Sequence, residues 1–111
     1  MKQKPVIPRA LAREDVDRAI AYYLEQDADK AALGLIDALE RAYKRLSRHP
    51  GSGSSRYAHE LNLPGLRSWP IKRYPYVVFY VERPSYIEIW RVLHGKSDIP
   101  SWLQEDVERV P

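Results

Sequence analysis

The sequence contains no cysteine. That absence excludes a disulfide, a thiolate-held zinc and a cysteine nucleophile, and it fits a reducing cytosol. Histidine is scarce: His49, His59 and His94 stand alone, with no H-E-x-x-H spacing and no accompanying carboxylate cluster. The residues therefore offer neither a metal centre nor a cofactor site. No apolar run approaches the roughly 18 residues of a membrane span. The opening MKQKPVIPRALARED reaches charge too soon for a secretion signal. There is no internal repeat and no low-complexity tail. These absences leave a soluble cytoplasmic domain as the expectation.

What is present is ordinary for a globular fold. The 111 residues, 44% of them apolar, suit one domain (1–111) with a single core and are too hydrophobic for general disorder. Lys plus Arg outnumber Asp plus Glu by 18 to 15, an excess that permits an acidic partner without requiring one. Residues 4–8 (KPVIP) read as an edge strand, because proline cannot donate to a central ladder. From Arg9 to about Gln26, Val16, Ile20, Tyr23 and Leu24 repeat with helical spacing. Asp27 or Asp29 is placed to cap a second helix, whose stripe is Leu35, Ile36, Leu39, Tyr43 and Leu46. His49, Pro50 and Gly51 end it, making 9–49 an antiparallel helix hairpin.

PGSGSS, Pro50 to Ser55, reads as a flexible joint. Beyond it the chemistry becomes that of strands, with antiparallel strands expected within 60–94: Leu66 to Lys72, Tyr76 to Glu82 and Tyr86 to His94. Arg83-Pro84-Ser85 supplies the last tight turn, and 95–111 is left as a C-terminal tail. Helices followed by strands predict an α+β fold, with the hairpin on one face of a mostly antiparallel sheet of three to four strands.

The chemically suggestive segment is RVLHGKSDIPSWL, Arg91 to Leu103. Its GKS is no phosphate loop, because the first glycine of G-x-x-x-x-G-K-[ST] falls on Trp90. Ser97, Asp98 and His94 lack the G-x-S-x-G elbow of a hydrolase, and a triad is defined in space rather than along the chain. Arg67, Lys72, Arg73, Arg83, Arg91 and Lys96 alternate with Trp69, Tyr74, Tyr76, Tyr80 and Trp90. That mixture suits RNA held by phosphate pairing and stacking. It suits equally a core of aromatics beneath a solvated cationic face.

The pattern as a whole goes further. PRALAREDVDRAIAYYLEQ, LSRHPGSG, LRSWPIKRYPYVVFYVE and IEIWRVLHGKSDIPSWL follow in an order that resembles the RelE/ParE superfamily of bacterial type II toxins. The ending is similar to the ParE-like RVLHGxRD signature, with Ser97 in place of the usual arginine. The resemblance implies one of two activities: messenger RNA cleavage on the ribosome, or poisoning of DNA gyrase. Lys72, Arg73, Arg91 and His94 are the cleavage candidates. The third-strand arginine of that branch seems to fall on Val77, the late arginine corresponds to Ser97, and the late tyrosine falls around Trp102 or Leu103. Those replacements favour a non-catalytic gyrase poison, with no catalytic residues. Its expected target-binding residues are Arg91, His94, Lys96, Asp98 and Trp102. His94 and Asp98 are alternatively a hydrogen-bonded pair, and Arg91 a structural residue paired to Glu88 or Glu82. A degenerate module that only binds antitoxin is the third reading.

The resemblance also implies a cognate antitoxin, usually a ribbon-helix-helix, ParD-like dimer, with the hetero-oligomer reaching operator DNA through it. Its arm is expected between helix hairpin and sheet, its acidic groups at Arg9, Arg13, Lys44 or Arg48.

Overall fold

A computed structural model describes residues 3–97 and 99–108, with side chains as far as Leu103. The strands are β1 (Val6–Pro8), β2 (Leu66–Pro70), β3 (Tyr76–Glu82) and β4 (Ile87–His94). The helices are α1 (Ala10–Glu25), α2 (Asp29–Arg48), α3 (Arg56–Leu61) and α4 (Ile99–Glu108). The sheet runs β1-β4-β3-β2, with β1 parallel to β4 and the other neighbours antiparallel. The α+β architecture is the one expected. Pro5 gives β1 only a carbonyl, which accepts the Ile87 N–H, so an edge position costs it nothing.

α1 and α2 cover one face of the sheet. Ala12, Asp15 and Ala19 are the buried residues of α1, with Val16, Ile20 and Tyr23 partly buried beside them. Leu24, expected in that stripe, is 50% exposed. The two alanines let the helix approach along the line 12–15–19–23, and one residue further turns Leu24 by about 100° onto the flank. In α2, Leu35, Leu39 and Leu46 are buried as expected, with Ile36 and Tyr43 partly so.

The expected cap on α2 is corrected. Asp27 has φ 55° and closes α1 instead: its N–H donates to Leu24 O, and the next N–H, of Ala28, reaches Tyr23 O. This is a Schellman turn, in which a left-handed residue satisfies the last helical carbonyls. Aspartate tolerates that conformation better than most residues. Ala28 is left as the cap of α2 and makes no side-chain bond.

The opposite face carries a second core of Leu66, Phe79, Val81, Leu93, Ile99 and Leu103. Two parts of the sequence reading change here. Residues 56–61 form α3, unforeseen because a helix of this length has too little periodicity to read. The tail is α4, whose Ile99 and Leu103, four residues apart, pack onto the sheet. The strands also end earlier or begin later than read, β2 at Pro70 and β4 at Ile87.

PGSGSS is not a free joint. Gly53 N–H donates to the Tyr80 hydroxyl (2.9 Å), which donates to Pro50 O (2.6 Å). Ser54 and Ser68 exchange two backbone bonds of 2.9 Å. A Cβ at Gly53 would lie 2.8 Å from Ser68 O, so glycine is required by the close approach rather than by flexibility. Tyr80→Phe removes the hydroxyl and leaves two buried backbone groups unsatisfied. Urea denaturation should show a loss of about 1–3 kcal/mol.

Candidate functional site

β1 stops at Pro8, opposite Ile89, so the outer edge of β4 has no strand partner further on. α1 covers that edge with one carboxylate. Asp15 Oδ2 accepts the Val92 N–H (3.0 Å) and Arg91 Nε (2.8 Å), while Oδ1 accepts Arg91 Nη2 (2.7 Å). Each side chain of the pair is 4% exposed. The partner is thus neither Glu88 nor Glu82. The register places Phe79 opposite Arg91 and Tyr80 opposite Ile89, making Trp90 the extra residue of a β-bulge. The bulge shifts the alternation of β4 and turns Arg91 toward the bare edge, where α1 lies.

The displaced carboxylates are used elsewhere. Glu88 accepts from Arg83 and from Trp90 Nε1 (2.9 Å). Burial alone would raise the Glu88 carboxyl, but these donors outweigh it and hold its pKa below the usual range. Glu82 pairs with Lys4.

The C-terminal half of the site begins with Trp102, 39% exposed, whose ring lies 5.2 Å from the Arg91 guanidinium carbon. Arg91 itself is buried, so the part of this pair that reaches the surface is the indole. The Lys96 N–H donates to His94 Nδ1 (3.1 Å), an arrangement that requires the neutral ring's proton on Nε2. His94 also meets the edge of Tyr76, with ring centroids 5.4 Å apart. Gly95 N–H donates to Pro75 O at 2.7 Å, tying this turn to the β2–β3 loop. Lys96 is exposed. Asp98 lies outside the described residues.

Lys72 and Arg73 are exposed on the β2–β3 loop, at the same end of the sheet as His94, since Tyr76 pairs with His94 and Pro70 with Val77. Of the cations expected around a scissile phosphate, three therefore share one end, while Arg91 is committed to Asp15. The neighbouring phenols are poor proton donors or acceptors. Burial, aided by nearby tyrosines, raises the pKa of both Tyr23 and Tyr76. The arrangement offers contact surface and positive charge more readily than proton transfer.

The expected antitoxin residues do not form one patch. Arg9 stacks on Trp90 at 4.6 Å, Arg13 is exposed on α1, and Lys44 and Arg48 are exposed on α2. A groove does open between α2 and the β2–β3 loop, but other cations line it: Arg41, Arg45, Lys72 and Arg73. Arg41 and Arg45 were not singled out from the sequence. Their signal is faint, two arginines four apart on a helix already rich in charge.

A family model described as the ParE toxin of type II toxin–antitoxin system, parDE, matches residues 6–99. The chain belongs to the ParE toxin family. The solved structure "Chromosomal ParDE TA system from P. aeruginosa" is similar to it with a TM-score of 0.68 and 20% identity, over 83% of this chain and 96% of that one. Likeness at that identity concerns the fold. No curated protein matches the chain in sequence. The ParE match takes in Asp15, Arg91, His94 and Lys96 but ends before Trp102, so the indole over Arg91 belongs to a part of α4 outside the matched region.

Two outcomes follow for this ParE-family domain. Asp15→Ala strands a buried guanidinium and an edge N–H, and thermal or urea unfolding should show a loss of about 3–5 kcal/mol. Separately, burial and then the charge of Asp15 push the Tyr43 hydroxyl up to about 12. An unfolded tyrosine ionises near 10, so the folded chain is favoured below that pH and loses this contribution as the pH rises from 10 to 12. The alkaline loss should reach roughly 1–3 kcal/mol. Tyr43→Phe should make it measurably shallower in urea titrations at pH 9, 10 and 11.

Proposed function

We propose that this chain is the toxin of a type II toxin–antitoxin pair, acting in the cytoplasm by binding DNA gyrase and stabilising its cleaved-DNA intermediate. A ParD-like antitoxin neutralises it, and the complex reaches operator DNA through that partner. Family membership supports the reading, and one observation carries the choice of target over RNA cleavage. The single late-strand arginine is enclosed with Asp15, which leaves exposed Lys96 and Trp102, rather than an acid–base set, beside it. A binder traps a state only through greater affinity for that state. The contact surface is then the turn after β4 with the exposed side of α4. Trp102 is its anchor, because a half-exposed indole held over a guanidinium offers rigid apolar area.

Ribosome-dependent cleavage of messenger RNA is the second reading. It is favoured specifically by the gathering of Lys72, Arg73 and His94 at one end of the sheet. A degenerate module that merely binds antitoxin is the third. Purified gyrase with supercoiled plasmid separates them: the toxin should accumulate linear DNA, and Trp102→Ala should require at least tenfold more protein for the same effect. Replacing Lys72 with alanine should leave the linear product unchanged. Unaltered supercoiling and cleavage at saturating toxin would sink the gyrase reading. Severed ribosome-bound message, lost with Lys72→Ala or His94→Ala, would establish the second reading, and normal growth on expression without antitoxin the third.

A further inference from the structure

The groove beside α2 is the largest feature that the target-binding surface leaves unused. Its floor is apolar, formed by Ala38, Ala42 and Ile71 with one side of Trp69. Its rim holds four cations, Arg41, Arg45, Lys72 and Arg73, against one carboxylate, Asp37. Other cations of the chain serve the fold: Arg56 pairs with Glu60, Arg67 holds Gly53 O, Arg83 pairs with Glu88 and Arg91 with Asp15. Among the described residues no carboxylate pairs with Arg41, Arg45, Lys72 or Arg73. Arg41 and Arg45 also stand four apart on α2, where like charges oppose helix formation. Nothing inside the fold explains gathering these charges over an apolar floor.

The details narrow the occupant. Arg45 lies over Trp69 at 5.7 Å, so that ring face is taken and cannot stack on a nucleobase. Asp37 in the wall repels a phosphate backbone, whereas a protein segment can place an uncharged side chain there. An added strand is also blocked. β2 is the outer strand of the sheet, but Ser68 already bonds Ser54 on that edge, and Pro70 has no N–H to offer. What fits is a segment that binds through side chains, an amphipathic acidic helix with small apolar residues on the floor and carboxylates at the rim.

We infer that this groove seats the acidic arm of the antitoxin, in place of the dispersed Arg9, Arg13, Lys44 and Arg48. The inference rests on the reading of this chain as an antitoxin-neutralised toxin and assigns the site of neutralisation. The β2–β3 loop then belongs to both ligands' neighbourhoods. Lys72 and Arg73 face the arm, and Pro75 O accepts the N–H of Gly95, next to His94 and Lys96.

The test uses the full-length toxin and the protein encoded beside it, purified separately and titrated by calorimetry. Arg41→Glu with Arg45→Glu should weaken binding about thirtyfold or more. Arg13→Glu with Arg48→Glu should stay within threefold of the parent. The groove variant alone should still linearise plasmid with gyrase, and its co-expression with antitoxin should now arrest growth. Should the double reversal unfold the chain, judged by circular dichroism, Arg41→Gln with Arg73→Gln takes its place with a tenfold loss expected. Binding within threefold by the folded groove variants overturns the inference while leaving the toxin reading intact. Failure of the parent chain to bind the neighbouring protein overturns both. A 20-nucleotide single strand that binds the parent more tightly than that protein does, and is lost with the same reversals, assigns the groove to nucleic acid and also overturns it.

Discussion

The Asp15 carboxylate decides how the two halves of this domain meet. A three-residue β1 cannot cover an eight-residue β4, and an open sheet edge invites pairing with other chains. Extending β1 would close the edge; here a helix closes it, with one side chain in place of a ladder. Asp15 accepts the orphaned Val92 N–H and, with the same two oxygens, fixes Arg91 by a forked pair. A buried carboxylate is tolerable only when its lone pairs are filled, and a buried guanidinium only beside such an anion. Each group makes the other admissible. The bulge at Trp90 is the geometric condition for both, since it brings Arg91 to the side where α1 runs.

That arrangement reaches the outer surface through α4. Ile99 and Leu103 bury into the second core, and Trp102 between them is turned outward over Arg91. An exposed indole on a short terminal helix would ordinarily sample many positions. The cation beneath it is held by a bidentate pair, so the ring rests on a fixed platform and less rotamer entropy remains to be lost on docking. The ion pair contributes little net stability for its burial, but it supplies a rigid base for a surface residue. Arg91 thus bears on partner binding without touching the partner.

Much of this was legible in the sequence, and the parts that were not share a cause. The hairpin of helices, the three antiparallel strands and the edge position of β1 follow from period and proline placement, which local chemistry dictates. Arg91 was readable as a cation out of place in an apolar strand, and so in need of a carboxylate. Which carboxylate was not readable, because a bulge alters the alternation on which any choice between Glu82, Glu88 and Asp15 depends. Asp15 leaves one trace, its place between Ala12 and Ala19 on the line that packs closest to the sheet. Asp27 was read as a cap because short acids commonly are; its role as a left-handed closer emerges only once α1 ends one residue before Gln26. PGSGSS has the composition of a linker, and only the distant Tyr80 hydroxyl, 30 residues on from Pro50, shows why it is held.

The distribution of cations separates structural work from recognition. A guanidinium that serves the fold is recognisable by its acceptors: Arg67 on Gly53 O, Arg83 on Glu88, Arg91 on Asp15. Those at the groove have none among the described residues, yet they crowd one rim. Crowded like charge in water is screened over about 10 Å at 0.1 M salt, so its cost to the free domain is small. Once an acidic segment excludes water from the rim, the same charges act at lower effective dielectric, where each pairing strengthens. A surface that is nearly neutral in energy when free and strongly favourable when covered is what a reversible inhibitor requires. It allows silencing to be tight without making the released toxin unstable, and the cost of release then falls on the partner that must be removed.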